Sequence, residues 1–249
     1  MPDHATLQIE GRIATLTLHR PDARNALSLD LLESLRARIK ELATKTEVSV
    51  CILAGEGKSF CAGMDLKAVL DEPGAPQKLL SNIAEASLEL RALHCVTIAH
   101  VQGAAIGGGC GLMCLCDLSI THPEAKIGYP EVDLGVCPAV VAPWLMLRVG
   151  PGLARRVLLE GGTMSGERAH QLGLATALAD RGDLESAVRG AADRLAAAGP
   201  NALRATKAWM NELQPLDLPE KVRRGAVISA EVVTSEEARA SLRKAFAAR

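Results

Sequence analysis

The sequence predicts an α/β fold: ββα units stacked over residues 1–195, followed by a helical region at 196–249. Three observations lead there. Short apolar runs recur in the order strand, strand, helix through the first two thirds of the chain. Glycines and prolines punctuate those runs where the chain must turn. After Pro138 the strand pattern gives way almost wholly to helical periodicity.

The start, LQIEGRIATLTLHR, alternates polar and apolar residues around Gly11-Arg12 and reads as a hairpin. RPDARNALS is a turn-rich loop. Ser28 caps a helix from Leu29 to Ala43, where Leu31, Leu32, Leu35 and Ile39 recur at helical spacing. VSVCILAGEG is a short buried strand ended by glycines, and KSFCAGMDLKAVLDEPGAP a loop with a weak helical turn. A helix covers Gln77 to Leu93. VTIAHVQGAA is then a strand, GGCGLMCLCD a helix, LSITH a strand, and AKIGYPEVDLGVCP a strand with a loop. Beyond it AVVAPWLMLRVG, GLARRVLLEG, SGERAHQLG, LESAVRGAADRLAA and NALRATKAWMNEL are helical, and further helices close the chain.

Composition narrows the function. With 249 residues, 48% of them hydrophobic, the chain has enough apolar surface for one sizeable core. A net charge of −1 excludes a broad basic face for nucleic acid. Two Phe, two Trp and one Tyr leave no platform for stacking bases. No apolar run is long enough to span a bilayer, and the first residues lack the layout of a secretory signal. Seven cysteines, an odd number set mostly in apolar runs, read as reduced thiols in a cytoplasmic compartment. Cys110, Cys114 and Cys116 have no histidines at finger-like spacing, so no metal is expected and they read as small buried helix residues.

The chemistry is carried by glycines. Gly107-Gly108-Gly109 stand between an apolar strand and an apolar helix, with Gly111 on the first helical turn. A glycine-rich turn opening a helix presents unpaired N–H groups and the positive end of the helix dipole, which suits an anion. No Lys-Ser or Lys-Thr follows, so it is not a Walker loop, and it does not fit the dinucleotide pattern. An oxyanion of a thioester enolate or tetrahedral adduct remains, against the plainer reading of close helix–strand packing. A second glycine-bearing turn, GKSFCAGMDLK at 57–67, offers a second backbone donor.

At these blocks the chain resembles the crotonase, or enoyl-CoA hydratase/isomerase, superfamily. RIATLTLHRPDARNALS, GEGKSFCAGMDLK, VQGAAIGGGCGLMCLCDLSI, AKIGYPEVDLGVCP and MSGERAHQLGLATALA carry the resemblance, which covers almost the whole chain. It implies a crotonase-like spiral and a coenzyme A thioester whose carbonyl oxygen sits between two backbone N–H groups. Those donors fall on Met64 and Gly108. Ala62, Asp65, Leu66 and Lys67 fall along the adenine and pantetheine path, and Arg24 falls near the CoA phosphates; Gly107 and Gly111 are expected to touch substrate as well. The coenzyme is part of the substrate, so no separate cofactor is implied. The resemblance also implies a homotrimer or dimer of trimers, with 196–249 at the subunit contacts.

Family hydratases face the double bond with two glutamates. One is present as Glu131 in GYPEV; the other aligns with Gly111. A single carboxylate suffices to shift a double bond, and serves hydration where water is otherwise held. The resemblance therefore implies an enoyl-CoA hydratase, with an enoyl-CoA isomerase as the closest rival and a catalytically silent acyl-CoA binder behind both. Asp133 and Glu85 are candidates for a substitute acid. Tyr129, the one tyrosine, either donates in the pocket or packs there. Val132, Leu134, Val136 and Trp144 are expected to surround Glu131 with apolar groups and raise its pKa.

Overall fold

The computed structural model describes residues 3–66 and 74–247. Strands β1 (Ala5–Glu10) and β2 (Ile13–Leu18) form the expected hairpin, turning at Gly11 with φ 59°. Helix α1 (Leu29–Ala43) begins where the sequence places it, since Ser28 Oγ accepts the Leu31 N–H at 3.3 Å. Its buried stripe is Leu31, Leu32, Leu35, Ile39 and Leu42, each side chain stabilising the fold by roughly 2 kcal/mol through removal from water.

Three ββα units follow. Strands β3 (Val50–Gly55) and β4 (Ser59–Cys61) precede α2 (Ala75–Arg91). Strands β5 (Val96–Val101) and β6 (Ala104–Ile106) precede α3 (Gly108–Leu115). Strands β7 (Leu118–Thr121) and β8 (Lys126–Gly128) precede α4 (Ala142–Glu160). Then come β9 (Thr163–Ser165), α5 (Gly166–Gln171), β10 (Ala177–Leu178), α6 (Leu184–Ala197), α7 (Pro200–Glu212), α8 (Leu218–Val233) and α9 (Glu236–Ala247).

The first strand of each pair enters a six-stranded sheet of order β1-β2-β3-β5-β7-β10, the second a four-stranded sheet of order β4-β6-β8-β9. Neighbours run parallel except β1–β2 and β8–β9. Each turn of the spiral thus adds one strand to each sheet. The larger sheet is covered on both faces, by the main core and by α6, which buries Leu184, Val188, Ala191 and Ala192 against Val50, Ile52 and Ile98. Burial on both faces explains why β3 is a continuous apolar run rather than an alternating one.

The structure differs from the sequence reading in two places. VTIAHVQGAA is not one strand but two, β5 and β6, in different sheets. The corner is Gln102-Gly103, where a Cβ on Gly103 would lie 2.0 Å from the Lys58 carbonyl oxygen, so only glycine lets the two turns of the spiral cross. KSFCAG contains β4, too short to declare itself by alternation. The two helices expected around GPGLARR are both present: the chain leaves the helical conformation at Gly150 (φ 79°, ψ 161°), before Pro151, so α4 is two helical stretches meeting at a kink.

Asp117 ties the helical region to the sheets. Its Oδ2 accepts from Thr97 N, Thr97 Oγ1 and the buried Lys207 Nζ of α7, and Oδ1 from Arg91. Lys207 also donates to the Cys95 carbonyl at 2.7 Å. Despite its burial, these donors hold the Asp117 carboxyl below its ordinary pKa. Among the described residues no helix is long and apolar enough to cross a membrane.

Candidate active site

Three parallel neighbours of the smaller sheet end at one place. Beyond β4 lies Met64, beyond β6 Gly108, and beyond β8 Glu131. Carboxyl ends of adjacent parallel strands converge loops from distant parts of the sequence, which is where such sheets build sites. Here they open on a cavity of about 600 Å3 including its mouth. Met64, Gly108 and Glu131 line it with Leu80 and Ile83 of α2, Val141, and Ser229 of α8.

The two backbone donors lie close together. Gly63 has φ 86°, and a Cβ there would lie 3.4 Å from Gly108 N; one on Gly108 would lie 3.9 Å from Met64 N. Among the described residues neither N–H meets a protein acceptor. Gly107 N is different: it donates to the Gly128 carbonyl at 2.8 Å, which makes Gly108 the first free donor of α3.

Each glycine of the run has its own reason. Gly107 takes φ 54°, ψ −117°, and a Cβ on it would meet Glu131 Oε1 at 2.6 Å, so its bareness seats the carboxylate. A Cβ on Gly109 would strike the Cys61 carbonyl oxygen at 2.2 Å. Gly111 lies under Val141, whose Cγ1 is 2.5 Å from where its Cβ would be. The space a side chain on Gly111 would take is therefore filled by an apolar one. Val141 lines the cavity, whereas Gly111, expected to touch substrate, does not.

Glu131 is the one carboxylate lining the cavity among the described residues. Its Oε2 is buried and has no hydrogen-bond partner among them. Burial pushes its pKa from 4.5 up to about 7, against a smaller lowering by its own backbone. Its apolar neighbours are Leu134 and Val136, as expected, with Val140 and Val141. Val132 is instead exposed, and Trp144 is buried elsewhere, its Nε1 donating to Ser87 Oγ at 3.1 Å.

Other candidates are placed differently from the sequence reading. Tyr129 is fully buried outside the cavity lining, its hydroxyl 3.6 Å from Cys114 Sγ, so it packs rather than contacting substrate. Asp133 accepts the Gly162 N–H at 2.8 Å, and Glu85 pairs with Arg223 at 2.7 Å; neither serves as a second acid. Burial pushes the Cys110 thiol well up, away from nucleophilic use. Ala62, Leu66 and Gly107 line the cavity. The Asp65 carboxylate is engaged by Arg20 at 3.0 Å. The Arg24 side chain is exposed, while its carbonyl accepts the Ala62 N–H at 3.0 Å. Lys67 lies outside the described residues. Among the described residues no three or more metal-ligating side chains cluster.

Sequence reasoning missed Asn25. It is fully buried at φ 54°, a left-handed conformation that asparagine tolerates. Its amide nitrogen donates to the Glu56 and Ser59 carbonyls, both at 2.9 Å, and to Phe60 at 3.2 Å, gathering the loop that leads to Met64. An Asn after a turn signal was the only clue, and it is shared by many turns that hold nothing.

The chain is similar to known proteins over nearly its whole length. The profile of the family described as "Enoyl-CoA hydratase/isomerase" matches residues 8–248. The chain is 34% identical over 211 residues to "2,3-dehydroadipyl-CoA hydratase" of Escherichia coli (strain K12), covering 84% of this chain and 82% of that one. It is 31% identical over 219 residues to "Crotonyl-CoA hydratase" of Syntrophomonas wolfei, covering 87% and 84%. A crystal structure of an enoyl-CoA hydratase/isomerase from Mycobacterium paratuberculosis superposes with a TM-score of 0.89 at 25% identity, covering 98% and 99%.

Proposed function

The chain belongs to the enoyl-CoA hydratase/isomerase family of enzymes, and from that premise we propose that it hydrates a 2,3-unsaturated acyl-CoA thioester, with Met64 and Gly108 N–H as the oxyanion hole and Glu131 as its single acid/base. The observation that carries the reading is a Glu131 carboxylate without a partner among the described residues, in the same cavity as two backbone donors equally without one. The thioester carbonyl oxygen accepts both N–H groups, which become stronger partners as charge develops on it. Ionised Glu131 takes a proton from water while the water oxygen bonds to C3. The electron pair of the double bond moves toward the carbonyl as an enolate. Glu131 then returns the proton to C2. Every atom of water ends in the product, and no cofactor is called on, because the CoA moiety belongs to the substrate.

In this reading Arg24, Ala62, Asp65, Leu66 and Lys67 lie along the CoA path, with the exposed Arg24 guanidinium offered to phosphate. One observation favours a second reading. Among the described residues Val141, not a carboxylate, stands at the Gly111 wall where a water would be held. Removing a proton from C2 of a 3,4-unsaturated chain and returning it to C4 needs Glu131 alone, which is the isomerase reaction.

The test is incubation with crotonyl-CoA and with 3-hexenoyl-CoA in deuterium-enriched water, with products followed by mass. Hydration of crotonyl-CoA is the expected result. A bond shift in 3-hexenoyl-CoA without hydration of either ester would replace it with the isomerase. Binding with neither reaction nor exchange would make the chain a silent binder.

The assembly proposed is a homotrimer, or a dimer of trimers. The support is an exposed apolar surface on α7 and just after it: Trp209, Met210, Leu213 and Leu216, the last 97% exposed. Leu216→Asp together with Trp209→Asp is expected to lower the mass measured by sedimentation toward that of one chain. An unchanged mass would move the contact elsewhere.

A further inference from the structure

The Met64 donor sits on a loop, and loops aim poorly unless something holds them. Here the holder is the segment 20–27. Leu27 and Met64 form an isolated parallel bridge. Leu27 N donates to the Gly63 carbonyl at 2.7 Å, and Asp65 N donates to the Leu27 carbonyl at 3.0 Å. The N–H groups on either side of one strand residue point in alternate directions. With Asp65 N–H turned toward Leu27, Met64 N–H is turned away from it, into the cavity beside Gly108 N.

Two backbone bonds are a short ladder, and one side chain spans it. The Arg20 guanidinium donates through Nη1 to the Ala26 carbonyl at 2.7 Å and through Nη2 to Asp65 Oδ2 at 3.0 Å. It therefore grips the residue before Leu27 on one strand and the residue after Met64 on the other. Both side chains are mostly buried, at 24% and 18% exposure, so solvent screens the pair less than a surface bridge. A planar guanidinium fixes both bonds in one geometry, which an ammonium does not. Arg20 itself is anchored, since its backbone N–H donates to Asn25 Oδ1 at 2.9 Å.

We propose that Arg20 and Asp65 form a clasp that positions the Met64 N–H, and so set how strongly the enzyme polarises the thioester carbonyl. Both act as positioning residues; neither touches the reacting atoms. The inference rests on the oxyanion-hole reading above and adds residues that act through the backbone.

The test uses the whole protein and a bound chromophore, the para-dimethylaminocinnamoyl thioester of CoA. Its absorption moves to longer wavelength as its carbonyl is polarised. Arg20→Ala frees both ends of the clasp and Asp65→Ala frees one. Expected are a kcat loss of roughly tenfold for Arg20→Ala, a smaller one for Asp65→Ala, and a reduced red shift of the bound probe in the same order. Arg20→Lys should restore only part of either. Parent kcat and parent probe absorption in both alanine variants would overturn the proposal. So would a kcat loss with the full red shift kept, because that is the pattern of a purely structural role. If the parent protein binds the probe and gives no shift, the oxyanion hole itself fails, and the clasp with it.

Discussion

Glu131→Gln is expected to lower kcat by roughly a thousandfold, within the usual range for losing a positioned acid/base, while leaving the affinity for an unreactive CoA thioester near that of the parent. Gln has nearly the shape of Glu and cannot take the proton. In the proposed mechanism the reaction begins with the ionised carboxylate. The rate should therefore climb with pH to a plateau above the Glu131 pKa of about 7, on a single rising limb. A second carboxylate working as a protonated acid would add a falling limb. Stability should move the other way. Below pH 4.5 Glu131 is protonated folded and unfolded, and contributes nothing. Between 4.5 and about 7 the unfolded chain ionises first, so stability is lost as pH rises through that window. Above it the loss levels off at about 3 kcal/mol, which the Gln variant escapes, less what its own buried amide costs. At pH 8 the variant should melt higher than the parent, and at pH 4 the two should nearly coincide. Full turnover in Glu131→Gln would remove the catalytic assignment. Lost turnover with a lower melting point at every pH would instead mean that the fold had been damaged.

Most of the fold was legible because its signals are local. The hairpin at Gly11, the Ser28 cap and the apolar stripe of α1 each lie within a few residues, and the structure has them where the pattern places them. The strand, strand, helix recurrence survives as three turns of the spiral. What was not legible depends on contacts across the spiral. The split of VTIAHVQGAA into β5 and β6 turns on Lys58 coming close to Gly103, forty-odd residues away in sequence. The positions of Met64, Gly108 and Glu131 as residues were legible through the resemblance. Their convergence is a property of the β4-β6-β8 sheet order, which periodicity does not encode.

The same distinction separates the polar residues. Asp133, Glu85 and Tyr129 lie near the site in sequence, and each has a partner elsewhere: a backbone N–H, an arginine, a thiol. Sequence spacing cannot tell a free carboxylate from an engaged one. Glu131 is set apart by what it lacks among the described residues, a partner for Oε2. An unpaired buried carboxylate is costly and persists where the surrounding structure over-determines it. The structure around it is glycine backbone on one side and valine and leucine side chains on the other.

Gly107→Ala puts that arrangement under direct strain. The residue holds φ 54°, ψ −117°, outside the regions open to side chains with a Cβ, at a cost on the order of 1–3 kcal/mol. The new methyl would also lie 2.6 Å from Glu131 Oε1 and 3.2 Å from its Cδ. Either the carboxylate swings away or the peptide turns, and the peptide that follows carries the Gly108 N–H. Acid/base and oxyanion donor are then displaced together, which is why one methyl group is expected to cost about a hundredfold in kcat. The melting temperature should fall as well. Gly152→Ala supplies the control, since a Cβ there meets nothing within 4 Å and its backbone is not left-handed. That variant should keep the parent's rate and melt no lower than the parent. A Gly107→Ala protein with the parent's kcat would show that the working carboxylate does not rest against Gly107.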